Sequence, residues 1–230
     1  DLSLTTAGNI TDSGIVNVSG LTTLNSGNNS SIVLDSNNDF STITVTSSGD
    51  TIVLNDANTL DLGAINAASL EVSTNGNISD SGTLTVAGLT RLNSGNNSVI
   101  TLDQASNNFA TLTVASLGDT VSLNDINGIV LGGMNAASLA VDAAGTISQS
   151  GAVVVNNNAR FTTATANVDL NTSNNNFGSL TITANNAAIT EGSSADLTAV
   201  NVNGNLTLTA AGNISDSGTV TVAGITTLNS

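Results

Sequence analysis

This chain of 230 residues has no cysteine, proline, histidine, tryptophan or tyrosine, and its only basic residues are Arg91 and Arg160. Each absence closes a route. Without cysteine there are no disulfides and no thiol chemistry, which suits a bacterial surface protein as well as many soluble ones. Without histidine, cysteine or lysine, nucleophile–base triads of the Ser-His-Asp kind cannot be assembled. Proline, the residue least compatible with ladder-bonded strands, is absent throughout. Good helix formers of the Lys, Arg, Gln and Glu type are nearly missing too. Seventeen acids against two bases give a net charge of −15, which phosphate backbones and anionic headgroups would repel, so nucleic acid is not an expected partner. No apolar run approaches a membrane span, so membrane insertion is not expected either, and no basic-then-apolar leader opens the chain.

What is present is repetitive. Apolar residues make up 39% of the chain, almost all Val, Ile, Leu and Ala, so the signature of charged disorder is not met. Gly8-Asn9-Ile10-Thr11-Asp12-Ser13-Gly14 returns as Gly76-Asn77-Ile78-Ser79-Asp80-Ser81-Gly82, then as Gly145-Thr146-Ile147-Ser148-Gln149-Ser150-Gly151 and Gly212-Asn213-Ile214-Ser215-Asp216-Ser217-Gly218. The isoleucines lie 68, 69 and 67 residues apart, which defines repeats over 2–69, 70–138 and 139–205 and a partial one over 206–230. The chain opens and stops in mid-repeat, so it reads as a single continuous segment of something longer, whose partners are neighbouring repeats.

Within a repeat, sub-repeats of 19, 22 and 27 residues each offer short alternating strands, separated by turns at Gly8-Asn9, Gly27-Asn28 and Gly49-Asp50. Aliphatic residues alternate with Thr, Ser, Asn and Asp over three to five positions. Strands this short are not stable as flat hairpins, but stacked coil on coil their backbones can bond to the coils above and below. The pattern predicts an all-β fold: a right-handed parallel β-helix (β-solenoid) with triangular coils, about three coils per 67–69-residue repeat. A two-sheet sandwich would need longer strands and hairpin turns. Gly or Asn at the corners supplies positive φ, with Asn185-Asn186 standing where the first repeat has Gly49-Asp50. Ile78 is expected inside and Ser79 outside, so Ser79→Asp should cost little. An excised piece exposes unpaired strand edges at both ends and should associate end to end.

Leu206-Thr-Leu-Thr-Ala-Ala-Gly-Asn-Ile-Ser-Asp-Ser-Gly218, Asn97-Ser-Val-Ile-Thr-Leu-Asp103 and Val121-Ser-Leu-Asn-Asp125 resemble the passenger repeats of filamentous-haemagglutinin-like giant bacterial surface proteins. The likeness spans the whole chain through degenerate motifs. It implies secretion across an outer membrane, often by a two-partner route, and a place in a long fibre at the cell surface.

No residue is assigned a catalytic, cofactor-binding or metal-ligating role. The acids recur with the repeat (Asp12, Asp80 and Asp216; Asp35 and Asp103; Asp56 and Asp125), which suits solvated corners and Asx turns better than one active site. For the same reason a paired-carboxylate glycosidase is disfavoured. Single carboxylates at acidic corners leave room for at most weak Ca2+ binding. Arg91 and Arg160 share one repeat position and should face outward beside acids. Phe40, Phe109 and Phe177 share another and should plug the core. The pairs Thr42/Thr44, Thr111/Thr113 and Thr181/Thr183 occur once per repeat, and Thr83/Thr85 and Thr219/Thr221 are expected on a different strand, too sparse an array for an ice-binding face. Asn-x-Ser/Thr triplets such as Asn9-Ile10-Thr11 are expected by chance in this composition. The function expected is a non-catalytic structural rod of a large extracellular filamentous adhesin or surface fibre, projecting a binding tip or packing into matrix with end-to-end or lateral self-association. The alternative is a polysaccharide-binding solenoid module, with its site near the divergent third repeat, at 156–158 and 187–196.

Overall fold

The structure is a computed structural model describing residues 1–230. It contains 23 strands and no helix. The registered pairings are all parallel, and most join a strand to the next but one in the chain. The chain therefore winds as a β-solenoid. Each coil has one leg in a sheet we label A and one in a sheet we label B. Eleven coil steps separate Leu2–Thr5 from Ile214–Val222 along sheet A. At about 4.8 Å per step this is a rod about 53 Å long.

The two-residue alternation produces this arrangement. In Leu70-Glu71-Val72 the leucine and valine are buried and the glutamate exposed, and Ile78-Ser79 and Leu206-Thr207-Leu208 divide the same way. Inward residues of successive coils stack on their own kind, as in Ile10, Ile32, Ile52 and Leu70 along sheet B. The result is one core of 53 buried residues running the length of the rod. Of 141 backbone hydrogen bonds, 102 lie within the strand ladders, so stacking is the main way the backbone is satisfied.

A short third side bends off one of the two long legs, as register shifts show. It borders sheet B at residues 48–50, 65–67, 84–86 and 108–109. It then crosses to the edge of sheet A at residues 117–119, 134–136, 153–155 and 176–177. The three-sided coil expected from the sequence is thus present, with two long sides and one short.

The count of about three coils per repeat sharpens to three and a half. From Ile10 in sheet B the chain passes Thr22, Ile32, Ile43, Ile52, Leu62 and Leu70, alternating between sheets, and reaches Ile78 in sheet A. Ile147 is back in sheet B and Ile214 in sheet A. The longest sub-repeat hid the extra half coil: Ile43 already pairs with Leu62, closing a coil well before residue 69. Equivalent residues of successive repeats therefore face opposite ways, and the third side changes edge once per repeat.

The corners correct a second expectation. Positive φ is confined to Gly27, Gly49 and Gly118 and to Asn29 and Asn97. Gly8-Asn9 and Asn185-Asn186 turn without it. At the latter, side chains do the work: Asn186 bonds to Asn167 Oδ1 through Nδ2 at 3.0 Å, and Asn186 Oδ1 accepts the Asn205 amide at 2.9 Å. Glycine also serves close approach. A Cβ on Gly82 or Gly151 would lie inside van der Waals contact of backbone in the preceding coil, whereas Gly14, in the first coil, meets nothing within 4 Å.

These contacts set the expected cost of four substitutions. Ile78 is fully buried, so Ile78→Asp should cost several kcal/mol, read as a collapse of the urea midpoint. Ser79 points outward but its hydroxyl faces Asp61 at 3.4 Å, so Ser79→Asp carries a repulsion the sequence did not disclose, relieved by salt. Gly82→Ala should destabilise by about 1–3 kcal/mol through overpacking, while Gly14→Ala at the same motif position should be near neutral. Equal midpoints for the two glycine variants would contradict the close-approach reading.

Candidate functional site

The most organised chemistry in the rod is buried, where the third side ends and restarts. It ends on a phenylalanine. Phe40, Phe109 and Phe177 are all within the core, each preceded two residues earlier by a fully buried asparagine, Asn38, Asn107 and Asn175. The asparagine Oδ1 accepts a backbone amide of the coil below: Val16 at 2.8 Å, Leu84 at 2.8 Å and Val153 at 3.0 Å. Its Nδ2 donates to the fifth residue of the repeated motif: Asp12 at 2.8 Å, Asp80 at 2.6 Å and Gln149 at 2.8 Å. From the coil above, a buried carboxylate accepts the amide of the phenylalanine itself. Asp56 does so for Phe40 at 2.7 Å, Asp125 for Phe109 at 2.7 Å and Glu191 for Phe177 at 2.6 Å. Three consecutive coils are thus joined through Asp–Asn–Asp, Asp–Asn–Asp and Gln–Asn–Glu.

The restart uses a second cluster. Ser26 donates to Asp50 at 2.7 Å, Ser47 donates to the same oxygen, and the Ser30 amide donates to Asp50 Oδ1 at 2.8 Å. One repeat later Ser94 and Ser116 donate to Asp119, which also accepts the Ser98 amide at 3.0 Å. Both aspartates are fully buried and follow a left-handed glycine, Gly49 or Gly118. The third repeat has neither aspartate, and its asparagine ladder stands in this place.

These contacts explain the motif residue by residue. Asn9 and Asn77 cap the amides of Ser31 at 3.1 Å and Val99 at 2.8 Å. The isoleucine fills the core, the acid receives the buried asparagine, and the last glycine lets the next coil close.

Burial pushes the carboxyls of Asp56, Asp80, Asp125 and Glu191 above the ordinary range, and their amide donors offset this only in part. Burial would also raise Asp142, but Arg160 holds it below that range. Arg160 grips Asp142 with two bonds of 2.6 and 2.7 Å. Arg91 makes no ion pair, though it stands opposite Glu71 on the neighbouring coil.

Several expectations about these residues need correcting. Asp56, Asp80 and Asp125 are buried rather than solvated, although Asp56 and Asp125 do close Asx turns onto Asn58 and Asn127, both at 2.9 Å. Asp35, Asp103 and Asp216 are exposed. The phenylalanines plug the core as expected, and Arg160 faces outward beside an acid. Thr219/Thr221 share the outer face of sheet A with Thr181/Thr183, one coil intervening with Ala199 and Asn201. The sequence reading missed Asn38, Asn107, Asn175, Glu191 and the serine–aspartate clusters. Only the asparagines had a signal, since each stands two residues before a repeat phenylalanine. No three carboxylates converge as a metal ion would require. The larger hollows, about 300 Å³ each, are the uncovered ends of the core, at Leu2, Leu4 and Ile15 and at Ile214, Val220 and Leu228.

The raised carboxyls fix a pH dependence. With folding raising them, the folded chain binds more protons than the unfolded one just above the ordinary 3.8 of aspartate, so their contribution is greatest below that value and declines as pH climbs. The urea midpoint should be higher at pH 4.5 than at pH 7, and Asp125→Asn should flatten that slope. A midpoint that rises with pH over this window would contradict the assignment. Thr22 and Thr90 share a repeat position filled by Ala159 in the third repeat, and their buried hydroxyls have no partner. Thr90→Val should therefore stabilise by about 1 kcal/mol; a loss of stability would show that the hydroxyl is served.

Comparisons place the repeat in a family. Searches of curated proteins and of solved structures gave no match. A family described as repeats of unknown function (DUF5649) matches over residues 1–47, 49–116, 118–184 and 184–230. Its first two internal boundaries fall at the Ser47–Asp50 and Ser116–Asp119 corners, where the third side of the coil restarts. With nearly every residue matched, the chain belongs to this family of repeats.

Proposed function

We propose that this chain is a length of shaft: a non-catalytic structural rod within a large extracellular filamentous adhesin or surface fibre, of the filamentous-haemagglutinin-like kind that its motifs resemble. One observation carries the reading. The buried asparagines Asn38, Asn107 and Asn175 and the carboxylates Asp56, Asp125 and Glu191 recur once per repeat, and each bonds to the backbone of an adjoining coil. Such groups serve propagation of the stack rather than a reaction at one place. The divergence of the third repeat favours the shaft over a polysaccharide-binding module. Across 187–196, Ala187, Ile189, Glu191 and Ala195 are buried, so much of that variation repacks the interior instead of reshaping a surface.

The test is electron microscopy of the intact parent protein on its producing cell. Long surface-anchored fibres, lost when the gene is deleted, are the expected result. A short soluble particle would overturn the proposal and redirect attention to polysaccharide binding by this segment.

A further inference from the structure

Lateral packing of such a rod has to overcome its charge of −15. The outer face of sheet B meets this difficulty over five successive coils, its second to sixth. From Val33 through Thr113 its outward positions carry Glu71 and Arg91, on adjacent coils and directly opposite each other, and one further charge, Asp35, at the margin of the coil of Val33. Elsewhere Asp61, Asp169 and Asp196 occupy outward strand positions of other coils or of the other sheet, and Asp142 is held by Arg160. Arg91 is therefore the one cation not already engaged. Around it the face is less polar than a solvated sheet needs to be: Leu89 is 39% exposed, and Val33 and Val53 also point outward, half-buried. A shallow depression of about 120 Å³ lies beside Leu89 and Arg91.

We propose that this face is a self-association surface on which a second copy of the chain packs antiparallel. The occupant follows from the charges. A twofold axis lying in the interface parallel to the strands, and passing between the coils of Glu71 and Arg91, sets each Arg91 against the partner's Glu71. The four charges then alternate in sign around the axis, an arrangement that fixes register as well as attraction. A neutral ligand would leave the pair unused, and a partner presenting charge of one sign only would meet like charge at either Glu71 or Arg91, whereas a second copy answers both. Five coils by about five residues make a patch on the order of 400 Å² per partner, the size of a weak contact. Association is accordingly expected only at high concentration, and a fibre would multiply it by holding many such chains side by side. The inference deepens the shaft reading by naming how shafts bundle, but its test stands apart, because it concerns this segment in solution and not the parent on its cell.

The experiment is sedimentation equilibrium of the 230-residue chain up to about 1 mM, with an effective rod width from solution scattering to separate side-by-side dimers from end-to-end ones. The expected result is dimerisation that widens the rod. Arg91→Glu should weaken it at least about tenfold, and so should Leu89→Asp. The double swap Glu71→Arg with Arg91→Glu should restore it to within a few-fold, since the alternating square is re-formed with signs exchanged. All these positions are exposed, and an unchanged circular dichroism spectrum confirms that each variant folds. A monomer throughout the range, a dimer that lengthens instead of widening, or an Arg91→Glu variant that associates as before would each overturn the proposal.

Discussion

The structure depends on one constraint: each coil must lie on its neighbours at the spacing of a parallel ladder, because that is where most of its amides and carbonyls find partners. Legs in regular alternation meet this demand without help. Corners do not, and a chain whose third side changes edge must break the ladder twice per repeat. An unpaired buried amide costs about 1–3 kcal/mol, enough at several breaks to matter against ordinary domain stability. The buried asparagines and carboxylates stand at those breaks and supply the missing acceptors. They are side chains substituting for ladder.

This division of labour accounts for the unusual composition. Sheet faces need only small outward residues and aliphatic inward ones, hence the Thr, Ser, Val, Ile and Leu. Corners need short amides and carboxylates that reach one coil up or down, hence the Asn and Asp. Longer side chains have no place in a path repeated every 4.8 Å or so, and proline would remove an amide that a neighbour is waiting for. Burying a carboxylate is unfavourable unless donors surround it. Asp50 and Asp119 have two hydroxyls and an amide, while Asp56 and Asp125 each have two amides. Glu191 keeps one oxygen without a partner, the mark of a longer acid filling a position built for a shorter one.

The solenoid itself was legible in the sequence, because inward Ile, Leu and Val recur with a period that only stacking can bury. Phe40, Phe109 and Phe177 were legible as core for the same reason. The alternation of faces was not. A repeat of 68 residues has the same letters whether it closes three coils or three and a half, and only the pairing of Ile43 with Leu62 decides. Asp56 and Asp125 were read as solvated since an acid in a turn is usually so; what buries them is the phenylalanine amide of the coil below, a partner 16 residues away in sequence. Asn38 was hidden among neighbouring asparagines that do face solvent, and its role appears only once its two neighbouring coils are in place.

The claim on which the rest turns is that each repeat advances by a half-integral number of coils and so reverses its face. The absence of cysteine makes the test simple: place cysteines at Arg91 and Arg160, equivalent residues 69 apart, attach spin labels, and measure their separation. With the two positions on opposite sheets, three and a half coils of axial rise combine with about 10 Å of sheet separation and two outward-pointing labels, and the distance distribution should peak beyond about 25 Å. A peak near about 15–18 Å, as three whole coils on one face would give, would contradict the alternation of faces and the interpretation of the buried clusters built on it.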